Sequence, residues 1–212
     1  MKKMTLLVSC SLAAVTAFSQ ISIGIAANYT AYKGDFQKST PGAQIRIGYS
    51  PSEKVTTELG FTYGFPINYP SSVTIADNAS NTINVDSEIK YKFKTISLLG
   101  AYRLIGDNES TGSLYGQFGG SLVLVNYEEK ITGSYNSTQY NNPLDLVEKT
   151  NENGFTINLG IGGEYRLGTP VLFGEAGIAL PANQVNNLYV ENVIPAHFTF
   201  NLGVRIPFGG GE

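Results

Sequence analysis

The chain has 212 residues, 15% of them charged, with a formal net charge of −3, 24 glycines, 13 tyrosines and no tryptophan. That length suits one all-β domain, and a mildly acidic balance without a basic block argues against nucleic acid as a partner. One cysteine and one histidine exclude a disulfide framework and a Cys/His zinc cluster, and no cofactor is called for.

Lys2 and Lys3 precede an apolar run from Met4 to Phe18, and Ala17 and Ser19 are the small residues that a signal peptidase reads. Residues 1–19 are therefore predicted to be a signal peptide, with Gln20 opening the mature chain. The run is shorter than the roughly 20 apolar residues of a transmembrane helix. Leu7–Cys10 has the form of a lipobox, but few apolar residues precede Cys10 and the run continues past it. Export with Cys10 removed is the expectation.

From Gln20 onward the dominant period is two residues, the period of a strand with two unlike faces. In the first segment Ile21, Ile23, Ile25, Ala27 and Tyr29 oppose Ser22, Gly24, Ala26, Asn28 and Thr30. In the second, Ala43, Ile45, Ile47 and Tyr49 oppose Gln44, Arg46 and Gly48. In the third, Leu59, Phe61, Tyr63 and Phe65 oppose Glu58, Gly60 and Thr62. The fourth, within 87–106, changes phase: Ile89, Tyr91 and Phe93 are odd, whereas Ile96, Leu98, Tyr102 and Leu104 are even. Either a β-bulge near Lys94–Thr95 or an extension of the strand beyond the main sheet would produce this. The fifth sets Leu114, Phe118, Leu122 and Leu124 against Gln117 and Ser121. The sixth sets Phe155, Ile157, Leu159, Ile161 and Tyr165 against Thr156, Asn158, Gly160, Glu164 and Arg166. The seventh sets Leu172, Ala176, Ile178 and Leu180 against Phe173, Glu175 and Gly177. The eighth, His197–Phe208, sets Phe198, Phe200, Leu202, Val204, Ile206 and Phe208 against Thr199, Asn201, Gly203 and Arg205.

Short turns at Pro51–Lys54, Gly106–Gly112 and Gly168–Pro170 alternate with long polar segments near 33–41, 66–86, 128–153 and 181–195. Eight such strands predict an all-β, antiparallel up-and-down barrel over residues 20–208, with a short tail at 209–212. A soluble barrel would carry its apolar face inside and a charged face in water. A membrane barrel inverts this and places the apolar face against lipid. The polar face here is mostly Gly, Ser, Thr, Asn and Gln, with charges balanced in sign at Arg46, Glu58, Glu164, Arg166, Glu175 and Arg205. Small residues and pairable charges suit a cramped lumen. The uncharged face carries aromatics near strand ends (Tyr49, Phe65, Phe155, Tyr165, Phe198, Phe208), as interfacial girdles require. The expectation is an eight-stranded transmembrane barrel with both termini at the short-turn, periplasmic end.

The segments NLGIGGEYRL and FTFNLGVRIPF give the chain a resemblance to the small eight-stranded outer-membrane β-barrels of the OmpA transmembrane-domain and OmpX type, across Gln20–Phe208. The resemblance implies an outer-membrane location, contact with outer-membrane lipid, and reading of Phe198, Phe200, Leu202, Val204, Ile206 and Phe208 as a signal by the barrel assembly machinery. A tail, GGGE, follows the final aromatic Phe208 and departs from that pattern. Three functions fit such a barrel. The first is a non-enzymatic, plugged barrel acting structurally or in surface recognition, with Tyr127, Tyr135 and Tyr140 in the long third loop as contacts for an extracellular ligand or protein. The second is a narrow carrier of a small ligand. The third is a lipid-modifying enzyme based on His197 and Thr199, which alternation turns inward, away from a lipid substrate. The first is the expectation.

Overall fold

The computed structural model describes residues 20–33, 38–77, 81–140, 150–183 and 194–208. The predicted signal peptide, Cys10 and the tail at 209–212 lie outside the described residues. The described residues form nine strands: β1 (Gln20–Tyr32), β2 (Ser39–Ser50), β3 (Val55–Gly64), β4 (Ile67–Ala76), β5 (Thr82–Ile105), β6 (Gly112–Ile131), β7 (Thr150–Arg166), β8 (Val171–Pro181) and β9 (His197–Phe208). All pairings are antiparallel and join neighbours, with β1 against β9 and β3 against β5 closing the sheet. Eight strands form the wall of the barrel. The ninth, β4, pairs with β5 alone among the described strands.

Closure is staggered. A path through paired residues runs from Ile21 to Tyr49, Thr57, Gly100, Phe118, Leu159, Ile178 and Phe198. It returns to β1 at Ala31, ten residues beyond its start. Such a shear tilts the strands by about 35–45° and leaves an interior only wide enough for side chains.

Burial along β2 alternates without a break, and Ile45 and Ile47 point outward while Gln44 and Arg46 point inward. Outward-facing apolar side chains ring the whole barrel, from 71% exposure at Leu202 and 68% at Ile161 to 36% at Val204.

The segment 66–86, expected to be a loop, folds as β4 and the start of β5. Strands β3 and β4 lie end to end along one edge of β5: Tyr63 pairs with Lys94, and Ile67 with Tyr91. The break at Phe65–Pro66 has a physical reason. Proline lacks the N–H that continues a ladder, and the other partner of β3 ends there, with the Phe65 amide donating to Pro41 O at 2.9 Å. The β4–β5 hairpin and the paired ends of β6 and β7 therefore stand beyond the barrel mouth.

The phase change on the fourth predicted strand is not a bulge at Lys94–Thr95. The β5–β6 register runs unbroken from Ser87↔Ile131 to Arg103↔Tyr115, and its irregularity falls between Arg103 and Ile105. Up to that irregularity the odd residues of β5 face inward: Ile89, Tyr91, Phe93, Ser97, Ala101 and Arg103 are all buried. The interior itself changes character along the axis, from polar at the short-turn end to apolar at the long-loop end. Tyr32, Ile67, Tyr91, Phe93, Val125 and Tyr127 belong to one buried cluster there, with the Tyr32 and Phe93 rings stacked at 4.7 Å.

One position in the wall and one turn carry local constraints. A Cβ at Gly119 would lie 2.1 Å from Leu98 O, so Gly119→Val is expected to reduce the yield of folded barrel sharply, read as loss of the heat-modifiable band on a gel. In the β5–β6 turn, Asp107 Oδ1 accepts from the Ser110 hydroxyl at 2.8 Å and from the Ser110 and Glu109 amides. The Ser110 hydrogen bonds hold the Asp107 carboxyl below the usual aspartate range. A depressed folded-state value means that the turn's stabilisation is present at neutral pH and is lost as pH falls through that low midpoint. An NMR titration should place the Asp107 midpoint below that of an ordinary aspartate, and Ser110→Ala should move it up.

Candidate functional site: the charged lumen

Six ionised side chains meet inside the barrel, alternating in sign. Arg46 on β2 binds Glu175 on β8 in bidentate fashion, through Nη1–Oε1 at 2.6 Å and a second contact from Nη2 to Oε2. The same Nη1 reaches Glu58 Oε2 on β3 at 3.0 Å. Glu58 Oε1 receives Arg205 Nη1 from β9 at 2.8 Å, and Arg205 Nη2 reaches Glu164 Oε1 on β7 at 2.5 Å. Glu164 Oε2 in turn faces Arg103 Nη2 on β5 at 3.2 Å. The order Glu175–Arg46–Glu58–Arg205–Glu164–Arg103 crosses the lumen and draws on six of the eight wall strands. All six side chains are at most 8% exposed.

Buried ions are tolerated only when paired and further hydrogen-bonded, and the neighbours supply those bonds. Glu175 also accepts from Tyr115 Oη at 2.8 Å, Gln117 Nε2 at 2.6 Å and Asn201 Nδ2 at 3.1 Å. Arg46 Nε donates to Gln44 Oε1 at 2.6 Å, and Arg103 Nη1 donates to Thr56 Oγ1 at 2.9 Å. The guanidiniums of Arg46 and Arg205 both lie over the Phe173 ring, at 4.9 and 5.2 Å from its centroid. Glycines make the room: a Cβ at Gly162 would sit 2.4 Å from the Tyr115 ring, and one at Gly203 would sit 2.7 Å from that of Phe173.

The structure thus brings together Arg46, Glu58, Glu164, Glu175 and Arg205 of the expected charge set. Arg166 is a correction. It ends β7 at the short-turn rim, where its Nη2 donates to the Asn108 carbonyl, and it makes no ion pair among the described residues. Its place in the chain of charges is taken by Arg103. The sequence carried that signal, because Arg103 lies between the outward-facing Tyr102 and Leu104. The apparent phase change on its strand obscured it.

Above the charges lies a polar cavity of about 80 Å³, with Arg46 and Glu175 at one end and Tyr32, Val123 and His197 at the other. Asn28, Asn201, Ser121 and Asn158 line its wall and are hydrogen-bonded in pairs, Asn28 to Asn201 at 2.7 Å and Asn158 to Ser121. A volume of this size holds several waters. His197 is buried at its upper end, with Nδ1 3.0 Å from Pro195 O and its ring tilted on Tyr32 at 5.1 Å.

Tyr127 is a second correction. It belongs to β6, is 6% exposed, and packs on Tyr91 in the buried apolar cluster with ring centroids 5.7 Å apart. Its odd position continues the inward face of Tyr115, Val123 and Val125, so its ring belongs to the core. Tyr135 and Tyr140 do lie in the loop and are half-buried, and Tyr140 bridges to Asp77 beyond β4. Ile206, Phe208 and the other apolar residues of β9 from Phe198 onward face outward.

An apolar exterior around an ionic interior defines a closed eight-stranded antiparallel barrel of membrane-protein design. Among solved structures, a major outer-membrane protein of Thermus thermophilus aligns with a TM-score of 0.60 at 13% identity, over 90% of this chain and 99% of that one. Ail, the attachment invasion locus protein of Yersinia pestis, in complex with the heparin analogue sucrose octasulfate, aligns with a TM-score of 0.49 at 14% identity, over 90% and 97%. The likeness to the Thermus protein is one of fold. No family model matches the chain. No curated protein matches it.

Removing one partner from a buried ion pair strands the other charge and costs about 3–5 kcal/mol. Arg103→Gln is therefore expected to lower the urea midpoint of the folded barrel strongly, whereas Arg166→Gln at the rim should cost below about 1 kcal/mol. Equal effects would contradict the placement of Arg103.

Proposed function

We propose that the chain is an integral outer-membrane barrel with a non-conducting lumen, which presents its long-loop end at the cell surface in a structural or recognition role without catalysis. The observation that carries this reading is the inversion of the two faces. A continuous belt of large apolar side chains points outward, far beyond the patch size that soluble proteins expose. Strands of 10 to 13 residues in β1, β2, β3, β8 and β9 match the tilted spans of a bilayer. Aromatics sit at both edges of the belt, with Phe65 51%, Phe155 58%, Tyr165 54% and Phe208 51% exposed.

The ionic chain supports a closed lumen. Three guanidiniums and three carboxylates fill the lower barrel, and the apolar cluster of Tyr32, Phe93 and Tyr91 fills the mouth. Ions entering from either side meet side chains with no mobile charge to exchange. His197 lacks what an acyl-transfer base needs: its bonded neighbour is a backbone carbonyl, and no carboxylate orients it among the described residues. Residues 1–19 act as the export signal in this reading, and the outward residues of β9 from Phe198 to Phe208 form the signal read by the assembly machinery. Surface contacts, if made to a ligand or protein, fall to the β4–β5 hairpin and to the loop that carries Tyr135 and Tyr140.

Fractionation should place the protein in the outer membrane, and purified protein in a planar bilayer should give no unitary conductance steps at neutral pH. Periplasmic recovery would overturn the location, and regular steps would overturn the closed lumen. Phe208→Ala is expected to slow accumulation of heat-modifiable protein in cells while leaving refolding in detergent unchanged.

A further inference from the structure

The outward face of β5 reads, from the mouth downward, Lys90, Lys92, Lys94, Ile96, Leu98, Gly100, Tyr102 and Leu104. Three cations stand in a row just above the apolar belt and lead straight into it. Together with Tyr63, Asn126 and Asn151 they line a concave site of about 360 Å³. One carboxylate, Glu128, belongs to the same lining, and Glu88 and Asp86 follow further up the outward face of β5. Glu128 is 3.8 Å from Lys130 and pairs across the strands with Lys90, while Lys92 faces Asn126 and Lys94 faces Leu124. The site keeps an excess of positive charge, and Asn126 and Asn151 add hydrogen-bonding groups.

Below this site the outer wall has a groove of about 810 Å³, floored by Gly100, Gly116 and Ala176 and walled by Tyr102, Phe118 and Phe200. The opposite wall presents Ile21, Ile23, Ile25, Ile45 and Ile47 outward, with small outward residues only higher up, at the paired Ala27 and Ala43. A Cβ at Gly116 would meet no atom within 4 Å, so the local backbone packing does not require glycine there. From Lys94 to Gly100 the strand covers about 20 Å, which at a tilt of about 40° descends about 15 Å. That is one leaflet of a bilayer core of about 30 Å.

We infer that this face is a binding site for a phosphorylated, acylated lipid of the outer leaflet. Its phosphates lie on Lys90, Lys92 and Lys94, and an acyl chain lies in the groove over Gly100, Gly116 and Ala176. The inference rests on the membrane-barrel reading and adds to it a fixed lipid partner. Cations above the belt answer phosphate, and an apolar groove at the correct depth below answers the chain. A zwitterionic lipid satisfies only the second.

The test is native mass spectrometry of the folded protein in detergent, titrated with diphosphoryl lipid A or with phosphatidylcholine. Heat-modifiable migration is scored first for each variant, because its loss in the wild type would count against the barrel reading itself and not against the lipid site. The expected result is retention of one lipid A per barrel in preference to phosphatidylcholine. The combined K90Q/K92Q/K94Q variant should weaken lipid A retention by about tenfold, as should Gly116→Leu, which fills the groove from outside. Ile47→Ala on the opposite wall should change nothing. Equal retention of both lipids, an unchanged triple variant, or an unchanged Gly116→Leu would overturn the site. A lipid-free dimer abolished by Gly116→Leu would overturn it too, by assigning the groove to a second copy of the chain.

Discussion

The interaction on which this barrel depends is the alternating run of three guanidiniums and three carboxylates across its lumen. Eight strands with a shear of ten residues leave no room for bulk water, so a charge placed inside must find its partner in protein. Glu58 and Glu164 are each shared between two arginines, and Arg46 and Arg205 each span two glutamates. The charges come from β2, β3, β5, β7, β8 and β9, so the pairing ties together strands that are not neighbours in the sheet. Backbone ladders fix each strand to the next, and the ionic chain fixes opposite sides of the wall to each other. The glycines at 162 and 203 serve the same end, because each vacates the space that a luminal ring occupies.

The interior is layered by chemistry, and the layers explain the extent of the strands. At the short-turn end it is ionic, in the middle polar with a cavity, and at the mouth apolar. Inside the belt, apolar side chains point out to lipid and the interior must be polar or small. Beyond the belt, water lies outside, so the apolar side chains turn inward around Tyr91 and Phe93, and β5, β6 and β7 continue as the walls of a small water-facing core. The same odd positions of β5 serve both regimes. The lysines at 90, 92 and 94 mark the change on the outer surface, where the exterior passes from polar to apolar between Lys94 and Ile96.

Much of this was legible in the sequence, because a period of two with one uncharged face is a direct consequence of strand geometry. The barrel strands, the faces of β1, β2, β7 and β9, and the inward direction of Arg46, Glu58, Glu175 and Arg205 all follow from alternation. What alternation does not tell is where the surroundings change. Ile89, Tyr91 and Phe93 are out of phase with Ile96 and Leu98, which left a bulge near Lys94 and an extension of the strand beyond the main sheet both open; the unbroken register bears out the extension, whose apolar residues point inward into a core above the barrel. The change of phase obscured Arg103 and left Tyr127 on the surface when it is buried, while the polar composition of 66–86 made β4 look like loop. Arg166 failed for another reason: alternation gives the face but not the depth, and a residue at the end of its strand meets the rim and not the lumen.

The most direct test of the central claim is a double-mutant cycle on Arg46 and Glu175, with unfolding in urea followed from lipid vesicles for the wild type, Arg46→Gln, Glu175→Gln and the pair. If the ionic chain holds the wall together, each single variant is strongly destabilised and the double variant is no worse than either, giving a coupling as large as one single loss, about 3–5 kcal/mol. Additive losses, with a coupling within about 0.5 kcal/mol of zero, would contradict the account.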